Sequence, residues 1–485
     1  MGLINTVVLA RLLAPSDFGM VAMAMVAQEF IRVFAETGGL DLAVIRHPSP
    51  TAEHYDTAWT MSVCAGVVTA LALVAIAPVA EWYFHEPRVV RLIWFLSLAP
   101  LIVGFTNVGV YVGFRRDLEF DKEFRFLLVR KLAVSVIAVP LAFIWRDYWA
   151  LAIGVVCGGV VSVIASYWMH TYRPRFRLTK LRELWSYSAW MQIAQIGGFF
   201  GDQTDQIIVG GLAGTVQMGT YNVAADLATA PTGELVAPAA RAVFPVYATL
   251  LQDPARLAGA YLSVLSITAI VALSTGVGTA LVADDLVAVV LGPKWTPAAA
   301  LVPWLAVAAG LLGVAGSVNA VLSVTGNARL NCMRIWAFAA LLVPAATIAG
   351  LAWGAAGVAA ARMIVSLLFI PVMFYSLTRV IPVTGVEILR CLWRPALATL
   401  SMVAGVQLSG TDAISVVPLR LFCNVGVGAV VFSTTLLASW LVVGRPDGAE
   451  RLVIAQAGSA ARSLGAGTAR RVQIIRRQLR GQADV

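Results

Sequence analysis

Apolar residues along this chain come in long runs rather than in stripes. Stretches such as VCAGVVTALALVAIAPVA and WALAIGVVCGGVVSVIASYW hold the roughly 20 apolar residues that cross a bilayer as one helix. They lack the polar face that a helix on a soluble core turns to water. Marking these runs against their polar breaks predicts a short first segment near 3–13, then helices near 16–37, 57–84, 89–114, 127–145 and 149–170. A second series is predicted near 186–212, 216–249, 258–283, 297–324, 334–353 and 356–378, with two more near 394–409 and 417–443. The pattern is that of an all-α polytopic membrane protein with about fourteen crossings.

Composition agrees. Of 485 residues, 59% are hydrophobic and 13% charged, against about 25% charged in an average soluble domain, and the mean hydropathy is +0.82. The basic residues add an orientation, because Lys and Arg are retained in cytoplasmic loops near helix ends. They collect in RRDLEFDKEFR, YRPRFRLTKLR, GNARLNCMR and the tail from Arg445, whereas VADDLVAVVLGPKW and RDYW are acidic or nearly uncharged. Both termini are therefore expected in the cytoplasm. The +9 charge then reports topology, and nucleic acid is not an expected partner. The tail ends RRVQIIRRQLRGQADV, which fits either an amphipathic helix on anionic lipid or a solvated end.

The chain also echoes itself. VLARLLAPSDFGMVAMA from Val8 and IVGGLAGTVQMGTYNVA from Ile208 align without gaps, pairing Leu12 with Leu212, Gly19 with Gly219 and Ala24 with Ala224. A weaker echo sets LIVGFTNVGVYVGF beside LLGVAGSVNAVLSV and pairs Gly104 with Gly313. Duplicated six-helix halves follow: 1–175 and 176–385, then two added helices over 386–444 and a basic tail over 445–485. Such repeats favour transport through a cavity between the halves. The counterpart of 184–200 is missing ahead of Met1, so the first helix is expected to be short. No cleavable signal peptide is expected.

Ionisable residues at bilayer depth cost about 2.5–3.5 kcal/mol each on insertion scales, so those that persist usually face water or a partner. Asp202 and Asp205 share a helical face with Gln195 and Gln206 nearby. They read either as a proton or sodium coupling site, since two close carboxylates do not both ionise comfortably, or as a pair solvated at a helix end. Glu29, Arg32 and Glu36 share another face, either as a self-neutralised cluster or with Arg32 presented to a phosphate. Asn222, Asp226 and Thr229 line one face of the eighth helix, and Glu234 and Arg241 another. Arg362 stands alone in the twelfth helix, as an interhelical ion pair, a snorkelling end or a substrate contact.

Several chemistries are absent from the pattern. There is no GxxxxGK[ST] loop, no GxSxG elbow and no metal spacing among the four histidines. The five cysteines (Cys64, Cys157, Cys332, Cys391, Cys423) lie far apart and read as small core residues. Extramembrane loops are short, which counts against a polysaccharide polymerase or glycosyltransferase, so the chain is not expected to be an enzyme or to carry a cofactor beyond H+ or Na+ coupling.

At VVLARLLAPSDFGMVAMAMVAQEFIRVFAETGGLDLAVIRH the sequence resembles the polysaccharide flippases of the multidrug/oligosaccharidyl-lipid/polysaccharide exporter superfamily, of the colanic-acid (WzxC-like) type. DQTDQIIVGGLAGTVQMGTYNVAADLATAP, RAVFPVYATLLQDPARLAGAYL and VLGPKWTPAAALVPWLA carry the same likeness, which covers nearly the whole chain. The resemblance implies two six-helix bundles in a V around a central cavity. It further implies an undecaprenyl-pyrophosphate-linked oligosaccharide passing from the cytoplasmic to the periplasmic leaflet of a bacterial inner membrane by alternating access. Membrane lipids, a polysaccharide polymerase and export machinery are the implied partners. Arg32, Arg241 and Arg362 become candidates for the pyrophosphate and sugar acids. Asp205 takes the place of the acidic residue in the family's D..liG run, with Asp202 an additional carboxylate. The alternatives are a cation-coupled drug exporter of the same superfamily, or a membrane polysaccharide polymerase or ligase.

Overall fold

The computed structural model describes residues 2–35, 44–45, 47, 49–117, 119–181 and 189–444. Among them the chain is helical without a strand. The first set comprises α1 (Gly2–Leu12), α2 (Pro15–Ala35), α3 (Ala52–Phe84), α4 (Arg88–Leu96), α5 (Leu98–Gly104), α6 (Phe120–Trp145) and α7 (Trp149–Met169). The second holds α8 (Ala189–Thr249), α9 (Pro254–Leu281), α10 (Ala283–Val290), α11 (Val302–Ala315), α12 (Ser317–Val324) and α13 (Ala328–Thr378). Finally come α14 (Gly385–Leu408) and α15 (Val417–Val442). Eight of the described helices are long and apolar enough to cross a membrane, or nine if the bent segment over 88–116 is one span. This is a multi-pass membrane protein; the count of about fourteen is finer than length and composition alone support.

Part of the difference lies in two helices that double back. A straight α8 would be about 90 Å long at 1.5 Å per residue. Instead Gly214 adopts φ 75° and Gly354 φ 61°, left-handed values that favour a residue without Cβ. Across Gly214 the Tyr221 hydroxyl reaches Asp205 at 2.8 Å, although sixteen residues of straight helix would set them about 24 Å apart. Across Gly354, a Cβ on Gly357 would fall 2.1 Å from the Ala349 carbonyl oxygen. Both helices are therefore hairpins, α8a (189–213) with α8b (215–249) and α13a (328–353) with α13b (355–378).

Several helix starts lie ahead of the apolar runs, where capping groups or an acidic first turn extend the helix. Asp253 accepts from Arg256 N at 3.1 Å and Pro254 opens α9. Thr384 and Glu387 form a reciprocal capping box on α14, which thus begins at Gly385 rather than near 394. α6 begins at Phe120 rather than Leu127, with Asp121 and Glu123 in its first turn. At the start of the chain Pro15 follows the end of α1, and the Asp17 carboxylate accepts from Ala14 N at 2.9 Å.

The repeat is visible as contact geometry. A Cβ on Gly19 would fall 1.8 Å from the Thr215 carbonyl oxygen, and one on Gly219 would fall 1.8 Å from that of Pro15. The contact thus maps onto itself when 200 is added to each residue, the register read from the sequence, and α2 and α8b cross with backbones touching. The weaker echo is corrected. Gly66 packs on Pro100 and Gly104, while Gly276 packs on Ala306 and Gly310 in the same way. Gly104 therefore corresponds to Gly310 and not to Gly313. Apolar sequence is too uniform to fix that register, and backbone packing fixes it.

Among the described residues the four most exposed tryptophans lie at or close to helix ends: Trp82, Trp145 and Trp353 at the Gly214 end, Trp168 at the other. That is the placement of indole rings at membrane interfaces. The basic segment after α7 is a strap rather than a free loop. Arg175 N donates to Asp56 Oδ1 at 2.9 Å and Arg177 N to Thr60 Oγ1 at 3.1 Å, along the first turns of α3. The buried Asp56 is thereby satisfied.

Candidate substrate cavity

Inside the first helix set lies a cavity of about 850 Å³. Two small residues let it form, since Gly66 and Gly104 bring α3 and α5 into backbone contact, and α5 ends there in a bend of 63°. Beyond the bend the chain passes through a π-helical turn, Gly109–Gly113, packed on His170: a Cβ on Gly109 would come 2.4 Å from His170 Nδ1. Burial holds this imidazole below its ordinary pKa.

The charged residues on the cavity wall are Glu29, Arg32 and Arg130. Arg32 and Glu29, three apart on α2, form a two-point pair with Arg32 Nε donating to Glu29 Oε2 at 2.8 Å. Arg130 Nη1 donates to the Tyr111 hydroxyl at 3.2 Å, a neutral partner. Among the described residues, two guanidiniums and one carboxylate give the wall a net charge of +1. Gln195 on α8a is the second set's contribution, placed there by the packing of Phe199 on Phe30 at 5.6 Å.

Sequence reasoning missed Arg130. The apolar run predicts a helix only from near residue 127, whereas Asp121 and Glu123 mark a first turn that puts Arg130 well inside α6. The sequence also led to the expectation of one chamber lined by arginines of both halves. Among the described residues the cavity's wall is formed by the first set together with Gln195 of the second. Arg362 is not on its wall, being bound to Asp205, with Arg362 Nη1 donating to Asp205 Oδ2 at 2.7 Å. The Tyr221 hydroxyl donates to the same oxygen. This bridge ties α13b to both arms of α8, and its carboxylate is buried with side-chain exposure of 3%.

Asp202, one turn before Asp205, is exposed, and it lies within electrostatic reach of Glu29, Asp205 and Arg362. The two aspartates thus have different surroundings despite sharing a face. In α8b, Asn222 is half-buried, Asp226 turns toward Thr6 of α1, and Glu234 is exposed. Glu36 lies outside the described residues. Arg241 belongs to α8b, but its side chain lies outside them as well.

The Gly214 end holds the two sets together. Arg11 at the end of α1 donates to the carbonyls of Val289 and Val290, at the C-terminus of α10, where a cation meets the negative end of the helix dipole. The Trp295 indole N–H donates to the Ala10 carbonyl at 2.8 Å and its ring meets Phe18 edge-on. On the other flank the Tyr83 hydroxyl donates to the Ile207 carbonyl at 3.2 Å.

A family model described as "polysaccharide biosynthesis protein" matches residues 8–300. The chain belongs to this family. It is 22% identical over 430 residues to the lipopolysaccharide biosynthesis protein WzxC of Escherichia coli (strain K12), covering 84% of this chain and 85% of WzxC. To the succinoglycan biosynthesis transport protein ExoT of Rhizobium meliloti (strain 1021) it is 24% identical over 308 residues, 63% of this chain and 62% of ExoT. The match therefore spans less than two thirds of ExoT's length. The fold resembles that of the lipid II flippase MurJ in an inward closed conformation, with a TM-score of 0.76 at 12% identity, over 91% of this chain and 96% of MurJ. The expected exporter-type membrane fold is therefore present.

Proposed function

We propose that this chain flips a pyrophosphate-linked, lipid-anchored oligosaccharide across the bacterial inner membrane during polysaccharide biosynthesis, by alternating access and without chemistry of its own. The names of the relatives, a lipopolysaccharide and a succinoglycan biosynthesis protein, support the substrate class. One observation carries the reading: a cavity of about 850 Å³ whose described wall carries a net positive charge, set among membrane-spanning helices. A polar headgroup moved across about 30 Å of hydrocarbon needs such an enclosure. A phosphoanhydride, unlike a neutral drug, is matched by guanidinium forks. Arg130 offers the wall's uncompensated charge and Arg32, oriented by Glu29, the second contact. The Arg11 and Trp295 contacts hold one end closed, and with the basic loops at the opposite end the loading side is cytoplasmic, as are both termini. Residues 1–175 and 176–385 rock as two bodies about the Gly19–Gly219 crossing, with 386–444 attached to the second. Coupling to H+ or Na+, if transport is driven, falls on Asp202, since Asp205 is already bound to Arg362. Undecaprenyl pyrophosphate is the carrier, and a polysaccharide polymerase receives the product.

The test uses proteoliposomes with fluorescent undecaprenyl-pyrophosphate-linked oligosaccharide and a membrane-impermeant quencher. Wild type exposes the label on both leaflets, and Arg32→Ala/Arg130→Ala slows this at least tenfold. Cation-driven dye export without movement of the lipid-linked sugar, or sugar polymerisation by the purified chain, refutes the proposal.

A further inference from the structure

The second helix set contains a buried charge without a counter-charge. Asp205 has Arg362, and Asp285 has the fork of Arg420. Arg334 on α13a is 6% exposed, and its only described partner is neutral: Nη2 donates to Asn331 Oδ1 at 2.9 Å. Its Nε is buried with no hydrogen-bond partner, and none of the ion pairs among the described residues includes it. A guanidinium left this way destabilises the closed packing where a methionine of similar length would not. Its neighbourhood is apolar: Phe338, one turn along, packs on Ala315, Phe369 and Met373.

The internal symmetry points to what this residue waits for. In the first set the helix bent after Gly104 faces α6, whose Arg130 looks into the cavity. In the second set the matching helix runs on through Gly316, whose dihedrals are helical, as one span over Val302–Val324, and α13a is the counterpart of α6. The short turn over 325–327 joins α12 to α13a, so Arg334 and Gly316 stand at about the same height on adjacent helices. Each set thus places an arginine on the helix that follows its glycine-packed one. In the first set the facing helix bends away and leaves a cavity; in the second it stays straight, and Phe338 packs on Ala315, Phe369 and Met373.

We propose that Arg334 is the centre of a second anion site, taking a phosphate or pyrophosphate group when the second helix set opens. The fork geometry of guanidinium suits that group, and Asn331 fixes the fork's orientation. The proposal rests on the flippase reading for the source of the anion, and on the unpaired guanidinium for its chemistry.

Equilibrium dialysis of the full-length purified protein with labelled inorganic pyrophosphate tests it, comparing wild type with R334M, R334K and R32A/R130A. Wild type is expected to bind at two sites per chain, R334M at one and R32A/R130A at one. R334M is expected to unfold at or above the wild-type temperature, because the charge it removes has no described counter-charge. Two sites in R334M overturn the proposal. Two sites in R32A/R130A with one in R334M overturn the cavity reading and leave the Arg334 site standing. Should R334M fail to fold, R334K decides: affinity at the second site about tenfold weaker supports the proposal, and unchanged affinity overturns it. Nanodiscs containing undecaprenyl pyrophosphate separate the sources. Displacement of labelled anion from the Arg334 site identifies a lipid headgroup, its absence a free anion, and either result keeps the site.

Discussion

Removing one partner of the Asp205–Arg362 bridge should unfold the protein before it reveals anything about transport. The carboxylate's side chain is 3% exposed and the guanidinium's 16%, with 2.7 Å between them. In Arg362→Met the remaining carboxylate keeps only the Tyr221 hydroxyl, and its other oxygen is already buried without a partner. Breaking such a pair costs about 3–5 kcal/mol, and the two hairpins it joins then separate more easily. Asp205→Asn/Arg362→Met removes both charges and should recover most of that loss, giving a coupling energy of about 2–3 kcal/mol in a double-mutant cycle. Tyr221→Phe should cost about 1.5–3 kcal/mol, the range for a hydrogen bond to a charged group. The measurement is the unfolding midpoint in detergent for the four members of the cycle, with polymer export followed in cells. If Arg362→Met unfolds like wild type yet loses export, the structural account fails and Arg362 is a substrate contact.

Two further outcomes test the pseudo-symmetric frame. Gly219→Ala and Gly19→Ala each place a methyl group 1.8 Å from a carbonyl oxygen, and each should lose about 1–3 kcal/mol or more through overpacking. Gly259→Ala, where nothing lies within 4 Å, should unfold as wild type, and equal stability in all three would refute the crossing. Releasing the Gly214 end with Arg11→Ala and Trp295→Phe removes the contacts to Val289, Val290 and Ala10. It should raise labelling of cysteines placed near Ala10 by an impermeant reagent several-fold, and unchanged labelling would show that these contacts do not hold that end closed.

What the sequence determined by itself was the membrane character, the position of most segments and the repeat at an offset of 200. Burial in hydrocarbon is summed residue by residue along the chain, and so is readable without knowing which helices touch. The glycines at 19 and 219 were legible for the same local reason, each standing in a run that its partner repeats. Only the tertiary structure decided which charges meet. Asp205 and Arg362 are 157 residues apart, and their pairing depends on helix rotations and a 2.7 Å approach that no periodicity encodes. Asp202, one turn away on the same face, was left exposed by that same packing. The cavity's place was likewise settled by backbone contacts at Gly66 and Gly104, and the packing of α13a decided that Arg334 is buried with only Asn331 as a described partner. Hydropathy chooses which residues enter the membrane, and the interlocking of helix surfaces chooses what each of them faces there.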